Sequence, residues 1–254
     1  MSKPLPIQMY PNYDEMLDHS VGIRKHLYKL LPIPLHTFYP LRQEIYLFFV
    51  RMLSLRTKRH YRNHKGFFVN IGAGSNNKQG WVNIDIVRIP GIDCFYDCRK
   101  SLPFPDYSVR GIYCEHFIEH LDYTEEVPLF LSECYRVLQA GGVIRIITPD
   151  AEKYLNASSQ DNWDALCNIR PLEQGHVDHY YGCQYRTKME LINMVFRQGY
   201  HHKYAYDFET LRFILLRYGF SRVQKQEFSQ TLLKELNIDQ AERATESLYV
   251  DAIR

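Results

Sequence analysis

No CxxC pair occurs in this chain; its six cysteines, Cys94, Cys98, Cys114, Cys134, Cys167 and Cys183, stand apart from one another. That spacing argues against a zinc ribbon or a disulfide framework and for packed thiols in a reducing compartment. No apolar run approaches the roughly 20 residues needed to cross a bilayer, and the densest stretch is Tyr46–Val50. The opening MSKPLPIQMYPNY lacks the apolar centre of a secretory leader, so a cytoplasmic location is expected. Charge excess is missing too: a net +2 excludes a chain whose whole surface grips a polyanion and leaves only local basic patches. There is no internal repeat and no low-complexity tract. Tryptophan is scarce at 2 residues but tyrosine is plentiful at 20, which suits aromatic-lined surfaces.

What is present divides into two parts. Residues 1–65 carry Pro4, Pro6, Pro11, Pro32, Pro34 and Pro40, which predict irregular structure with short helices. Pro40 suits the first turn of a helix over Leu41–Arg56, with Ile45, Phe48, Phe49, Met52 and Leu53 on one face. Arg51, Arg56, Lys58, Arg59, Arg62 and Lys65 follow without an acidic neighbour. A basic amphipathic helix of this kind either packs on the main domain or lies on an anionic membrane surface through residues 41–65.

From residue 66 to 254 the rhythm is strand, turn, helix. Strands are predicted at Phe67–Ile71, Trp81–Ile84, Ile92–Tyr96, Arg110–Cys114 and Val143–Thr148, with final ones at Ser221–Phe228 and Ser247–Ile253. A helix should open at a capping box formed by Asp122 and Glu125 and close at Gly141-Gly142. Another, Phe208–Tyr218, should be capped by Asp207 and closed by Gly219. Alternation of this kind implies an α/β, Rossmann-like fold whose ligands sit beyond the carboxyl ends of the strands. Residues 150–206, polar, aromatic and histidine-rich, form an expected acceptor-side insertion.

The stretch Phe67–Ile86, FFVNIGAGSNNKQGWVNIDI, organises the rest: an apolar strand, a glycine turn, a second strand and a carboxylate. A dinucleotide fingerprint would need a third glycine where Asn77 stands and a carboxylate about 20 residues on, farther than Asp85. The motifs NIGAGS with Asp85, Asp97 with LPFPDYS, EHFIEHL, YRVLQAGGVIRIITP and the closing YDFETLRFILLRYGF with SLYVDAIR occur in order. Together they resemble the class I S-adenosylmethionine-dependent methyltransferase superfamily, and within it small enzymes associated with glycan assembly.

The resemblance implies a mainly parallel seven-stranded sheet with an antiparallel final strand, helices on both faces, and a short helical N-terminal extension. It implies S-adenosyl-L-methionine as cofactor. Gly72, Ala73 and Gly74 would form the turn beneath it, Asp85 and Ile86 would lie at the ribose, Asp97 and Cys98 at the adenine, and Glu115 near the sulfonium. Two departures stand out. Only nine residues, GAGSNNKQG, separate the first two strands, too few for a crossover helix. Arg110 also stands where an acidic residue commonly opens the fourth strand.

An oxygen acceptor benefits from a general base. His116 and Asp150 follow strand ends, and His176 and His179 in GHVDHYY add bases in an expected loop over the same face. The spacing of His176, Asp178 and His179 matches no strong ligand motif, and no metal is expected. The reading is a methyltransferase acting on an oxygen of a sugar or glycan, lipid-linked acceptors included. The alternatives are RNA or small-molecule methylation and a methyltransferase-like binding module without catalysis. Near-neutral charge and the lack of an RNA-binding motif disfavour nucleic acid.

Overall fold

A computed structural model describes residues 35–199 and 201–254 of the chain. The prolines from Pro4 to Pro34, with the irregular structure expected there, lie outside the described residues.

Helix α1 runs Leu35–Tyr61, longer than expected at both ends, and Pro40 lies within it rather than at its first turn. The strands follow as β1 (Phe67–Ile71), β2 (Val82–Asp85), β3 (Cys94–Phe95) and β4 (Val109–Glu115), then a 3-10 turn at Ile118–His120. Helix α2 (Glu126–Val137) leads directly into β5 (Leu138–Pro149). Residues 150–206 hold α3 (Ala151–Ser158), α4 (Asp164–Ile169), the hairpin β6 (Leu172–Glu173) and β7 (Val177–Asp178), and α5 (Lys188–Arg197). Helix α6 (Phe208–Arg217), β8 (Arg222–Gln226) and β9 (Ser247–Ile253) close the chain.

The main sheet has seven strands in the order β3-β2-β1-β4-β5-β9-β8. Pairing is parallel from β3 through β5, and β9 runs antiparallel to both neighbours. Val69, Ile71, Ile112, Cys114, Ile144 and Ile146 are buried in the main core, as interior strands of a covered parallel sheet require. Helix α2 packs Val127, Phe130, Leu131, Cys134 and Val137 on that core at helical spacing. Its start differs from the expected box by one residue. Asp122 Oδ1 accepts from the Thr124 and Glu125 N–H groups, while Glu126 Oε2, not Glu125, accepts from the Asp122 N–H. The helix ends at Val137, and Gly141-Gly142 lie inside β5. Asp207 caps α6 as expected, accepting from Thr210 N–H at 2.8 Å.

The β1–β2 connection is a series of turns and contains no helix. In a doubly wound sheet α2 covers one face and the first crossover helix the other. Here the long β8–β9 connection takes that second face. Its Phe228, Leu232, Leu233, Leu236 and Ile238 pack with Phe68, Trp81, Tyr113, Val143, Ile147 and Tyr249. Arg145, wholly buried on β5, pins it: Nε and Nη2 donate to Asp239, and Nη1 donates to Asp251 and to the Gln230 carbonyl. Arg110 belongs to the same cover, pairing with Glu235 at 2.8 Å and lying over the Phe68 ring.

Helix α1 is fastened beside β3. Leu47 and Val50 are buried, Tyr61 joins the main core, and the Tyr46 hydroxyl donates to the Ile86 carbonyl at 2.8 Å. Residues 150–206 gather their own small core around Tyr154, Leu166, Tyr185 and Leu191. Among the described residues no helix is long and apolar enough to cross a membrane.

Candidate functional site

At the carboxyl end of β1 the chain turns through Gly72, Ala73 and Gly74. Gly72 and Gly74 hold positive φ angles of 69° and 48°. The Gly72 and Ala73 N–H groups donate to the Ile84 carbonyl, so the turn hangs on β2. Asp85, ending β2, accepts from Gly74 N–H at 2.8 Å through Oδ2 and from Val87 N–H at 3.0 Å through Oδ1. Each of its oxygens keeps a second lone pair for a ligand hydroxyl. Asn70 and Asn83, joined at 3.1 Å, brace the strands behind the turn.

Glu115 closes this edge from β4. Its Oε2 accepts from Asn76 at 2.9 Å and from Gln240 at 2.6 Å, so the β8–β9 connection reaches the edge as well. Its Oε1 is buried and makes no geometrically sound hydrogen bond among the described residues. A buried, unpaired carboxylate oxygen is costly and marks a place where a donor is wanted.

Beyond β4 lies a second cluster. His116 sits at φ 48°, a backbone state that bulky residues seldom adopt and that is enriched at functional sites. Its Nδ1 lies 3.0 Å from Glu119 Oε1, and its Nε2 lies 3.5 Å from Ser247 Oγ. Glu119 is buried. Burial by itself would raise its carboxyl, but hydrogen bonding and charge from His116, with His120 and His202 nearby, bring it down to about 2. Lys203 and Tyr204 donate backbone N–H groups to the Glu119 carbonyl, which draws the 201–204 segment onto the 3-10 turn. His202 is thereby seated against His120, with ring centroids 4.7 Å apart. Burial pushes the His202 imidazole down to about 4. A cavity of about 90 Å³ opens here, lined by His116, His120, Arg170, Tyr181, Gln198 and Arg243 among others.

Three kinds of likeness to known proteins were found. Residues 90–146 match the family model described as a methyltransferase domain. A 63-residue segment is 40% identical to a protein of Mycolicibacterium smegmatis described as a "probable S-adenosylmethionine-dependent methyltransferase". That segment is 25% of this chain, and the chain spans only 23% of the relative's length. Among solved structures, a SAM-dependent methyltransferase from Archaeoglobus fulgidus shares 19% identity at TM-score 0.45, covering 80% of this chain and 94% of that one. A 1,6-didemethyltoxoflavin-N1-methyltransferase from Burkholderia thailandensis, solved with S-adenosylhomocysteine, shares 12% at TM-score 0.43, covering 100% and 93%. Likenesses this distant say nothing about activity.

The expected site residues separate in the structure. Gly72, Ala73, Gly74, Asp85 and Glu115 come together at one edge, with Ile86 alongside. Asp97 requires correction. Its carboxylate is buried and taken up by two arginines: Arg99 donates to Oδ1 and Oδ2, and Arg51 of α1 donates to Oδ2 at 2.9 Å. Burial would raise that carboxyl, but the hydrogen bonds and charge of Arg99, with Arg51, hold it below the usual carboxylate range. An oxygen pair so engaged has little capacity left for an adenine amino group. Asp97 ties α1 to the domain. Cys98, beside it, is buried, and burial pushes its thiol well up.

Of the four expected bases, only His116 lines the cavity. Asp150 is fully buried and caps α3, its Oδ1 accepting from the Glu152 and Lys153 N–H groups. A buried cap cannot reach an acceptor. His176 stacks on Trp163 at 3.9 Å, and His179 is exposed beside Glu173. Asp178, between them, is committed to Arg170 and the Tyr185 hydroxyl, so the GHVDHYY loop is an internal brace. Glu119 is a site residue absent from the sequence expectations, and His202 stands there only as one of several bases, able either to line an acceptor groove or to lead into the next helix. Glu119 was open to detection, being three residues after His116 on a tight turn. His202 lies far along the chain, and no spacing rule links it to the turn.

Proposed function

We propose that this chain is an S-adenosylmethionine-dependent methyltransferase that methylates an oxygen of a sugar or glycan. The observation that carries this reading is the Glu119–His116 pair at the carboxyl end of β4, open to the cavity. A carboxylate accepting from Nδ1–H fixes the imidazole tautomer and leaves Nε2 as a base. The cofactor edge fits the nucleoside: the turn carries no Cβ at Gly72 and Gly74, Asp85 keeps lone pairs for ribose hydroxyls, and Glu115 keeps a buried oxygen for a donor. S-adenosylmethionine supplies a methyl group on positive sulfur, so in-line attack by the acceptor oxygen gives a methyl ether and S-adenosylhomocysteine, the electron pair of the broken carbon–sulfur bond going to sulfur. His116 Nε2 takes the proton that the acceptor hydroxyl loses. Arg170, Gln198, Arg243 and Tyr181 give the cavity a polar wall, which favours a hydroxyl-rich acceptor over an apolar one.

Methyl-labelled cofactor offered with fractionated glycans, small molecules, protein and RNA tests the proposal. Label should enter the glycan fraction, and His116→Ala should lower the rate about 10²–10⁴-fold while S-adenosylhomocysteine binding persists. Label confined to RNA or to small molecules would replace the acceptor class. No transfer by a chain that binds the nucleoside would make it a binding module.

An anionic lipid surface is the second partner we propose. Leu41, Ile45, Phe48, Met52 and Leu55 are exposed at successive helical turns of α1, opposite its buried Leu47 and Val50. Arg59, also exposed, continues the same stripe, and the exposed Arg62 follows just past the end of the helix. Apolar insertion followed by cations at headgroup depth suits such a surface.

A further inference from the structure

The geometry points to a site for one divalent transition-metal ion, zinc first, held by Glu119, His120 and His202 beside the cavity that His120 and His202 line. The ligand atoms of these three residues lie within 4.8 Å of one another.

Three observations go beyond proximity. Glu119 Oε2 is buried and has no hydrogen-bond partner among the described residues, whereas Oε1 is satisfied by His116. A carboxylate half satisfied and half orphaned, with its residue 2% exposed, wants a cation or a bound water on the free oxygen. The two imidazoles are also set for coordination. His120 Nδ1 lies 3.0 Å from the His201 carbonyl, and His202 Nδ1 lies 2.7 Å from the Val195 carbonyl. A carbonyl can only accept, so Nδ1 carries the proton in each ring and Nε2 carries the lone pair. Metal-binding histidines are commonly oriented in this way. Finally, the backbone bonds from Lys203 and Tyr204 to the Glu119 carbonyl hold the segment bearing His202 against the turn bearing the other two ligands.

Two imidazoles and one carboxylate match the three-ligand sets of open zinc sites, which leave a position for water or substrate. His116 and His120 both line the cavity, so that position lies beside the base. An ion there would bind the acceptor oxygen and ease its proton loss to His116. Binding itself is independent of the methyltransferase reading; only this use of the ion rests on it.

The full chain, stripped with chelator and dialysed, is titrated with Zn²⁺ by calorimetry and with Co²⁺ by visible absorption. One ion per chain should bind, with Co²⁺ d–d bands typical of low coordination. His120→Ala and His202→Ala should each weaken binding at least about tenfold, as should the near-isosteric Glu119→Gln. His179→Ala, at an exposed position away from the cavity, should change nothing. S-adenosylhomocysteine affinity and thermal melting of the same variants report whether each is folded. Wild type that takes up no ion, or ion binding unchanged in folded His120→Ala and His202→Ala, would overturn the site and assign Glu119 Oε2 to a water. An ion bound by a chain that fails to bind S-adenosylhomocysteine would keep the site and remove the methyltransferase reading.

Discussion

Gly72 and Gly80 share a left-handed backbone but not a neighbourhood. Their φ angles are +69° and +79°, yet a Cβ on Gly72 would lie 2.8 Å from Phe117 Cδ2, whereas one on Gly80 would meet nothing within 4 Å. Alanine at Gly80 should therefore cost only the backbone strain, about 1–2 kcal/mol. Alanine at Gly72 adds overpacking of about 1–3 kcal/mol and displaces the turn that Asp85 holds. Thermal melts should rank Gly72→Ala as the less stable, and calorimetry should show weaker S-adenosylhomocysteine binding in it alone. Equal behaviour of the two variants would remove Phe117 from the support of the turn. The same scale explains the fates of two carboxylates. Asp85 meets only backbone N–H groups and stays available; Asp97 meets two guanidinium groups and does not.

Helix α1 shows why an element cannot be judged by its own sequence. Its apolar residues fall on opposite sides, one buried on the domain and one exposed, so it is not the one-faced helix that Ile45, Phe48 and Met52 suggested. Removing it would take away the buried Leu47, Val50 and Tyr61, uncover the surface they pack on and leave Asp97 without Arg51, so truncation is a poor test of lipid contact. Phe48→Glu with Met52→Glu, and separately Arg59→Glu with Arg62→Glu, leave the buried side intact. Both pairs should abolish flotation with vesicles containing phosphatidylserine, and unchanged flotation would make the stripe incidental surface.

The anchor of α1 has a pH signature. The folded-state value of Asp97 lies below its unfolded value of about 3.9, so its contribution to stability is present above that pH. It is lost as pH falls through the depressed folded value. Asp97→Asn should be less stable than wild type at pH 7, with the gap in urea midpoints narrowing below about pH 4. A gap constant with pH would mean that the ion pairs contribute nothing.

Over the whole molecule, the missing crossover helix is the feature with the widest consequence. Its sheet face still has to be covered, and the β8–β9 connection covers it from the other end of the chain. Arg145, Asp239 and Asp251 fasten that cover with side chains at 0% exposure. Removing one member of such a group leaves uncompensated buried charge, so Arg145→Met should lower unfolding free energy by about 3–5 kcal/mol. Adding Asp239→Asn and Asp251→Asn should restore part of the loss, read from urea melts. No recovery would assign the cost to packing around Arg145 rather than to charge.

The legible and illegible parts divide by range. Strand and helix alternation, the glycine turn, Asp85 and the shortness of the first crossover are local patterns, set by backbone sterics and hydrophobic period within a few residues. They gave the sheet and one edge of the site. Asp150 was open to better reading, since a carboxylate between a strand end and a helix start is a cap before it is a base. Asp97 was not, because the Arg51 that engages it belongs to a segment treated as an appendage. The β8–β9 connection, EFSQTLLKELNIDQAERATE, has no strand or helix period and announces no role as a lid. The ordered motifs and the nine-residue gap thus determined by themselves a glycine turn and a carboxylate at the sheet edge, joined by a connection too short for a helix. Only the tertiary structure decided what fills that space, which carboxylates remain free, and that His202 joins Glu119 and His120. Each of these depends on contacts between residues far apart in sequence, whose energy is realised only when burial brings their charges and lone pairs together.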